Sequence, residues 1–491
     1  MKWQATIDPM NCLKFFILLV TSLLVVATNT LVVAKPTSDN YAVVVSKQTN
    51  GNADWKPVVQ ALKGKYEANV IVYDEDVEES LEPLRKLFPK YVCMVSPHQE
   101  VTRKFVADVH QMMRKLDDDP YADAFWGILT GYDAAGALKV AQHSESLTVQ
   151  KSVSGTEIEL DACQEGVWFC ELKQGHMVRK SGDGKPESGK APSDTTKSLV
   201  DTLNEYKADL FVTSGHAKER DWQIGYSYKN GYFKSKAGQL YGADTKGNRY
   251  PIKSPNPKVY MPIGNCLMGH IDGPDAMALA FMNIAGVHQM LGYTKVTWYG
   301  YAGWGCLDYF VEQPGRYSFT EAFHANYHAL IHRLERNFPG SEKVELDEKG
   351  RPKQRFKMSS EARKRGLGPR DAMGLLFDRD IVAFYGDPAW EARMAEGKRS
   401  YDQKLEIKDQ KYTFHINPNL GEASFKPVNT NGAQRGWRPI VHFLPNRVKN
   451  IEIIEGKDLE PVITDNFILI PNPRTCDPSR EYKVSFTAEK I

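Results

Sequence analysis

From Tyr41 onward, short runs of consecutive apolar residues alternate with segments whose apolar positions recur at helical spacing. "YAVVVSK", "NVIVYDE", "YVCMVS" and "ADAFWGIL" read as buried strands. "DWKPVVQALKGKY", "VEESLEPLRKLF", "VTRKFVADVHQMMRKL" and "YDAAGALKVAQ" read as the intervening helices, the second with acidic residues in its first turn. Apolar strands alternating with amphipathic helices predict a parallel sheet covered on both faces. The pattern weakens between Ser144 and Ser198, where "RKSGDGKPESGKAPSDTTKS" reads as an exposed loop. It resumes with the helix "TTKSLVDTLNEY", the strands "ADLFVTSGH" and "KVYMPIGNC", and the helix "DGPDAMALAFMNIAG", with Asp272 or Asp275 as its cap. "HQMLGYT" and "VTWYGYA" are strand-like, and "SFTEAFHANYHALIHRLERNF" is a long amphipathic helix.

"VELDEKGRPKQRFKMSSEARKRGLGPR" reads as a basic, solvated loop and helix before the strand "IVAFYGDPAW". From about Lys404, "KLEIKD", "KYTFHIN", "PIVHFLP", "IEIIEG", "FILIPN" and "EYKVSFTAE" are short runs separated by turn residues. They predict a β-sandwich of roughly ninety residues. The expected division is an N-terminal segment over 1–34, an α/β subdomain over 41–150, a second α/β subdomain over 151–400 carrying the chemistry, and the sandwich over 401–491.

Composition changes this picture little. Of 491 residues, 42% are hydrophobic and 25% charged, as in ordinary globular proteins. A net charge of +2 offers no footprint for nucleic acid, and none is expected as a partner. The N-terminus adds more. "FFILLVTSLLVVA" follows Lys2 and Lys14 and precedes small residues, with Ala27 or Ala34 placed before a cut. That is the arrangement of a secretory signal peptide, and Thr28, Asn29 and Thr30 interrupt the longer span an anchor helix needs. The expected location is secreted, periplasmic or at the cell surface, with a membrane as partner only if the segment stays uncleaved. Beyond it lie Cys93, Cys163, Cys170, Cys266, Cys306 and Cys476. Cys163 and Cys170 are near enough in sequence for a small loop bridge, and no paired CxxC motif marks a zinc ribbon.

The candidate chemistry lies at two strand ends. "LFVTSGHA" delivers His216 and "VYMPIGNC" delivers Cys266, about fifty residues apart. In open parallel sheets functional groups gather beyond the carboxyl ends of the strands. If these strands are neighbours, thiol and imidazole share one crevice. The thiolate is the nucleophile, a free thiol titrates near about 8.5, and a nearby imidazole can hold the thiolate or carry a proton to a leaving amine.

Three other constellations compete. His324, His328 and His332 repeat every four residues on one helix face, but "HANYH" lacks the glutamate of zinc-peptidase motifs. Cys266 and His270 can ligate zinc only with a second pair, which is not evident. Glu157, Glu159 and Asp161 are alternative carboxylates for orienting the histidine, and their order does not choose among them.

These strand ends, with "DPYADAFWGIL" upstream and "FYGDPAW" downstream, resemble the gingipain-type cysteine peptidases of the caspase-like fold group. The resemblance runs from about Tyr41 to the C-terminus. It implies an α/β, caspase-like parallel sheet flanked by helices, followed by an immunoglobulin-like β-sandwich. It also implies an exported cysteine endopeptidase acting on a protein or peptide substrate, the alternative being a non-catalytic exported binding or surface protein on the same fold. In that reading Cys266 is the nucleophile and His216 the proton-transfer partner. Ala217 lines the oxyanion site, and Trp304 of "YAGWGCLDYF" lies beside the substrate pocket. No catalytic metal or cofactor is required; calcium is permitted as a structural ion, with Asp117, Asp118 and Asp119 as an acidic cluster that can receive it. The chain departs from the pattern in two places. Ala217 stands where the family has glycine, which is costly if the position needs a positive φ. Asn265 stands where a small alanine is common.

Overall fold

Twelve strands form one sheet in the computed structural model, which describes residues 40–346 and 352–491. The N-terminal apolar segment and its expected cleavage lie outside the described residues. In chain order the strands are β1 (Tyr41–Ser46), β2 (Asn69–Tyr73), β3 (Tyr91–Val95), β4 (Phe125–Leu129), β5 (Lys151–Ser154), β6 (Glu165–Phe169), β7 (His176–Lys180), β8 (Glu187–Lys190), β9 (Leu210–Thr213), β10 (Lys258–Pro262), β11 (Val287–Tyr293) and β12 (Val382–Tyr385). They lie side by side as β2-β1-β3-β4-β12-β11-β10-β9-β5-β6-β7-β8.

β1 shows why the apolar runs are continuous. All six residues are buried: Tyr41, Val43 and Val45 pack against the helices Lys56–Tyr66 and Ala134–Gln142, whereas Ala42 and Val44 belong to the core on the opposite face. With both faces covered, the run stays apolar until the last residue, Ser46, whose hydroxyl donates to Glu100.

The expected parallel sheet is present, but in two halves of opposite sense. β2, β1, β3, β4 and β12 run one way, and β11, β10, β9, β5 and β6 run the other. The seam is the antiparallel pair β11–β12, in register from Met290↔Tyr385 to Tyr293↔Val382. The carboxyl ends of the two halves therefore lie at opposite edges of the sheet. His216 and Cys266 both belong to the second half.

The glycine-rich stretch expected as a loop is instead largely the β7–β8 hairpin at the sheet edge. All four residues of β8 are exposed, so it carries no apolar alternation to read. "VTWYGYA" is not a strand: Gly300, at φ 85°, turns the chain into the helix Tyr301–Phe310. Cys163 and Cys170 are free, which overturns the small loop bridge. They flank β6, and an extended strand rises about 3.3 Å per residue, which carries the sulfurs far beyond bridging range.

"FYGDPAW" closes the first half of the sheet structurally. A Cβ at Gly386, at φ 116°, would meet the His288 carbonyl oxygen at 2.2 Å. The buried Asp387 carboxylate accepts from the Tyr41 hydroxyl (2.8 Å), the Tyr66 hydroxyl (2.6 Å) and Lys65 Nζ (3.0 Å). The histidine stripe of helix Phe319–Asn337 is interior packing. His324 Nδ1 faces the Thr320 carbonyl (2.9 Å) while Nε2 accepts from the Trp126 N–H (3.1 Å). His328 stacks on Phe467 with ring centroids 4.3 Å apart. Burial holds His328 well below the ordinary imidazole range and pushes His324 and His332 down to about 4.

The C-terminal strands form the expected sandwich. One sheet holds Tyr401–Lys408, Lys411–Pro418, Tyr482–Lys490 and Val448–Glu455, and the other holds Ile440–Phe443, Phe467–Ile470 and Val462–Ile463. The strand Phe467–Ile470 serves two cores. Ile468 and Ile470 point into the sandwich, whereas Phe467 and Leu469 join the core of the α/β body.

A buried ion network fastens a loop of the sandwich to helix Tyr301–Phe310. Asp308 accepts from Arg435 Nε (2.6 Å), Arg438 Nε (2.8 Å) and the Gly436 N–H (3.0 Å), and Arg435 also pairs with Glu312. The side chains of Asp308, Arg435 and Arg438 are each at most 5% exposed. Removing one partner of such a network leaves buried charge uncompensated, at a cost of about 3–5 kcal/mol. Asp308→Ala is therefore expected to lower the unfolding free energy by that amount in urea denaturation, with a loss below about 1 kcal/mol refuting this role.

Candidate active site

The two strand ends meet because β9 and β10 are parallel neighbours. Thr213 lies opposite Pro262, and the Ile263 N–H donates to the Thr213 carbonyl at 3.0 Å. After β9, Gly215 at φ 89° turns the chain sharply, a left-handed conformation glycine adopts freely, and sends His216 out to an exposed position. After β10, Gly264 and Asn265 lead to the half-buried Cys266. Leu267 follows at φ 61°, where a branched side chain costs about 1–2 kcal/mol.

Asn265 fastens these ends together. Fully buried, it accepts from Thr213 Oγ1 (2.6 Å) through Oδ1 and donates through Nδ2 to the Gly215 carbonyl (3.0 Å). Tyr260 supports it from below, its hydroxyl 3.0 Å from Thr213 Oγ1, with burial raising the phenol so that it stays neutral. An alanine at 265 could make neither bond. Asparagine at this position thus has a local structural reason.

Cys266 and His216 line one cavity of about 350 Å³. The thiol accepts a hydrogen bond from the Thr297 N–H at 3.3 Å. The imidazole lies against Tyr226, with centroids 4.8 Å apart and planes 27° from parallel. Trp304 forms a wall: side chains at Gly264 and Gly432 would approach its ring to 2.6 and 2.3 Å, so both glycines permit its close packing. Ala217 follows the histidine but is not among the lining residues. Its turn is pinned by the Gln223 N–H to the His216 carbonyl (2.9 Å) and the Lys218 N–H to the Asp221 carbonyl (2.8 Å). The position is not in the left-handed region, so alanine is tolerated. Among the described residues neither Ala217 nor Cys266 gives its backbone N–H to a backbone carbonyl in these turns.

Glu171 and Asn431 are lining residues that the sequence reading does not single out. Glu171 lies just past the end of β6, a third strand of the same half, and the strand-end rule that found His216 and Cys266 applies to it equally. It is 5% exposed and accepts from Thr156 Oγ1 (2.5 Å), Asn431 Nδ2 (3.0 Å) and the Glu157 N–H (3.2 Å). Among the described residues it is the single carboxylate lining the cavity. Asn431 comes from the sandwich, whose loop contributes Asn431, Gly432 and Ala433 to the wall. No local signal in "NTNGAQRG" marks it.

Two of the three alternative carboxylates have other partners. Glu157 Oε1 accepts from Asn429 Nδ2 (3.2 Å), and Glu159 caps a short turn by accepting from the Asp161 N–H (3.0 Å). Among the described residues no carboxylate hydrogen-bonds the His216 imidazole. His270 faces Glu219 (3.1 Å) and Arg103 (2.9 Å) and makes no set with Cys266.

Solved structures similar to this chain include the gingipain RgpB of Porphyromonas gingivalis, in a complex of its pro- and mature domains. It matches at 12% identity with a TM-score of 0.45, over 89% of this chain and 94% of that one. A second, described as the structure of a protease, matches at 10% identity with a TM-score of 0.40, over 92% of this chain and 96% of that one. No family model and no curated protein matches the chain.

Asn265→Ala is expected to cost about 1–3 kcal/mol in denaturant unfolding, because it removes a buried amide that bonds both strand ends, leaving the Thr213 hydroxyl only Tyr260 and the Gly215 carbonyl without the amide donor. A conventional thiol reagent should also modify Cys266 at a changed rate in that variant. Unchanged stability would mean that the two strand ends do not depend on this clamp.

Proposed function

We propose that this protein hydrolyses peptide bonds through a Cys266–His216 dyad, acting as an exported cysteine endopeptidase. The observation that carries the reading is the convergence of a half-buried thiol and an exposed imidazole on one cavity, from adjacent strand ends.

In this reading a peptide carbonyl sits between the two side chains. Cys266 Sγ attacks the carbonyl carbon as its proton passes to His216, and the carbonyl oxygen gathers negative charge. In this reading the backbone N–H groups of Ala217 and Cys266, neither of which is given to a backbone carbonyl in its turn, receive that charge. The C–N bond then breaks, His216 returns its proton to the leaving amine, and a thioester remains on Cys266. Water, deprotonated by His216, attacks the thioester, releasing the acid and restoring the thiol.

Glu171 extends the reading to substrate class. A buried carboxylate on the wall of a cavity with no lining Lys or Arg favours a cationic side chain of the substrate. Export rests on the basic flank and apolar core of residues 1–34.

The test is direct because the other described cysteines are buried. A peptide-based thiol inhibitor should label Cys266 in the folded protein, mapped by mass spectrometry. Cys266→Ala should abolish both labelling and hydrolysis, and His216→Asn should lower kcat/KM by at least about 10²-fold. Glu171→Gln should reduce any preference for Arg or Lys at the cleaved position by about 10–100-fold. Hydrolysis that survives Cys266→Ala would refute the dyad.

A further inference from the structure

A second cleft, of about 610 Å³, lies between helix Phe319–Asn337 and the sandwich. It opens behind the loop that walls the candidate active site. Asn431, Gly432 and Ala433 line that site, whereas the next residues, Gln434 to Trp437, line the cleft.

The cleft is strongly basic. Arg333 and Arg336 come from the helix, Arg365 from the segment after it, and Arg435, Arg474 and Arg480 from the sandwich. Four of these charges are already matched. Arg336 pairs with Glu460 (2.5 Å), Arg480 with Asp458, Arg365 with Glu361 (2.9 Å), and Arg435 with Asp308 and Glu312. Among the described ion pairs Arg333 and Arg474 have no acidic partner. They lie over aromatic rings instead, Arg333 5.2 Å from the Tyr301 centroid and Arg474 5.1 Å from that of the half-exposed Trp437. A turn holds Arg474 there: its N–H donates to Asn472 Oδ1 (2.7 Å), and the Thr475 N–H donates to the Pro473 carbonyl (2.8 Å).

The surroundings show that this charge is uncompensated. Burial, then the Arg365 and Arg333 guanidinium groups, draw Arg474 below the ordinary arginine range. Burial, with Arg336 and Arg365, pushes His332 on the same wall down to about 4. His332 is 9% exposed, and its Nε2 is buried without a hydrogen-bond partner; Oδ1 of Asn337, another lining residue, is unpartnered too. Like charges gathered beside unsatisfied polar atoms are costly until a ligand supplies the missing partners.

We propose that this cleft binds a phosphate group, free or carried on a small molecule, through Arg333 and Arg474. Guanidinium forks match phosphate oxygens bidentately, and no lysine lines the cleft. Two unmatched arginines, one from the helix and one from the sandwich, favour a doubly charged oxyanion over a lone carboxylate. The cavity falls within the range of about 300–1,000 Å³ typical of small-molecule sites, which leaves room for a phosphate ester. Asn337 Oδ1 can accept from a hydroxyl of such a carrier. The site is independent of the peptidase reading.

The experiment uses the full chain in chloride buffer of fixed ionic strength. Sodium phosphate, glycerol 2-phosphate, glycerol and citrate are each titrated by calorimetry and compared by thermal melting. One equivalent of phosphate or of glycerol 2-phosphate should bind and raise Tm by about 3 °C at a hundredfold excess over Kd. Glycerol at the same concentration should do neither. Tighter binding of the ester marks a phosphorylated small molecule as the ligand; equal or weaker binding marks the free ion. Arg333→Gln and Arg474→Gln should each weaken binding more than about tenfold. In chloride alone both should melt within about 2 °C of wild type, since each also relieves like-charge repulsion; that check separates loss of the site from loss of the fold. Lys364→Gln, on the helix Ser360–Lys364 but outside the cleft, should bind as wild type does. The proposal is overturned if neither phosphate compound binds stoichiometrically, or if both arginine variants keep wild-type affinity. It is also overturned if citrate binds as tightly as phosphate.

Discussion

The molecule's candidate chemistry depends on one side chain that does none of it. Asn265 joins the ends of two parallel strands, accepting from Thr213 and donating to the Gly215 carbonyl. Parallel pairing sets β9 and β10 about 4.8 Å apart, but it does not control where the chain goes once the ladder ends. That is where the amide acts. By holding the Gly215 carbonyl it directs the turn that presents His216, and by its own position in the chain it sets where Cys266 begins. A buried amide bonded to both strand ends is a strict constraint, since losing either bond leaves part of the amide itself unpaired away from water.

A second constraint lies outside the α/β body. Asp308 anchors the sandwich loop through Arg435 and Arg438, and that loop supplies Asn431, Gly432 and Ala433 to the cavity. Gly432 packs against Trp304, which packs in turn against Gly264 at the root of the thiol-bearing segment. The sandwich is thus one wall of the candidate site. Its attachment is core-like: Phe467 and Leu469 are shared with the α/β body, and Phe467 stacks on His328. Ion network and apolar packing act on the same interface from different sides.

What was legible in the sequence followed from burial. β1, β3, β4, β9 and β10 are covered on both faces, so their apolar runs are unbroken. The sandwich strands were legible through short alternation between turns. The β7–β8 hairpin was not, because β8 is exposed throughout and its sequence, Glu187-Ser188-Gly189-Lys190, suits an edge strand as well as a loop. Nor was the reversal of strand direction at β11–β12, which depends on long-range pairing across a helical excursion. His216, Cys266 and Trp304 carried local signals: strand ends and a resemblance. Glu171 carried the same strand-end signal and was passed over. Asn431 carried none, since it matters only through a surface that forms when the sandwich docks.

The glycine expected after the histidine shows how a resemblance and a backbone can be reconciled. Position 217 requires no left-handed conformation; the turn places that requirement at Gly215, one residue before His216. Alanine at 217 therefore carries no steric penalty, and its N–H stays available beside the cavity. The strained position instead follows the thiol, at Leu267, whose N–H donates to the Lys295 carbonyl at 3.3 Å. A branched residue persists in that region only when its surroundings over-determine it. Here they do: Gly269 is pressed against Gly292 too closely for either to bear a side chain, its N–H donates to the Tyr293 carbonyl, and its own carbonyl accepts from Tyr385 (2.6 Å). The segment after Cys266 is pinned to β11, the last strand before the sheet reverses. The reversal that the sequence concealed is therefore also what holds the thiol's exit path in place.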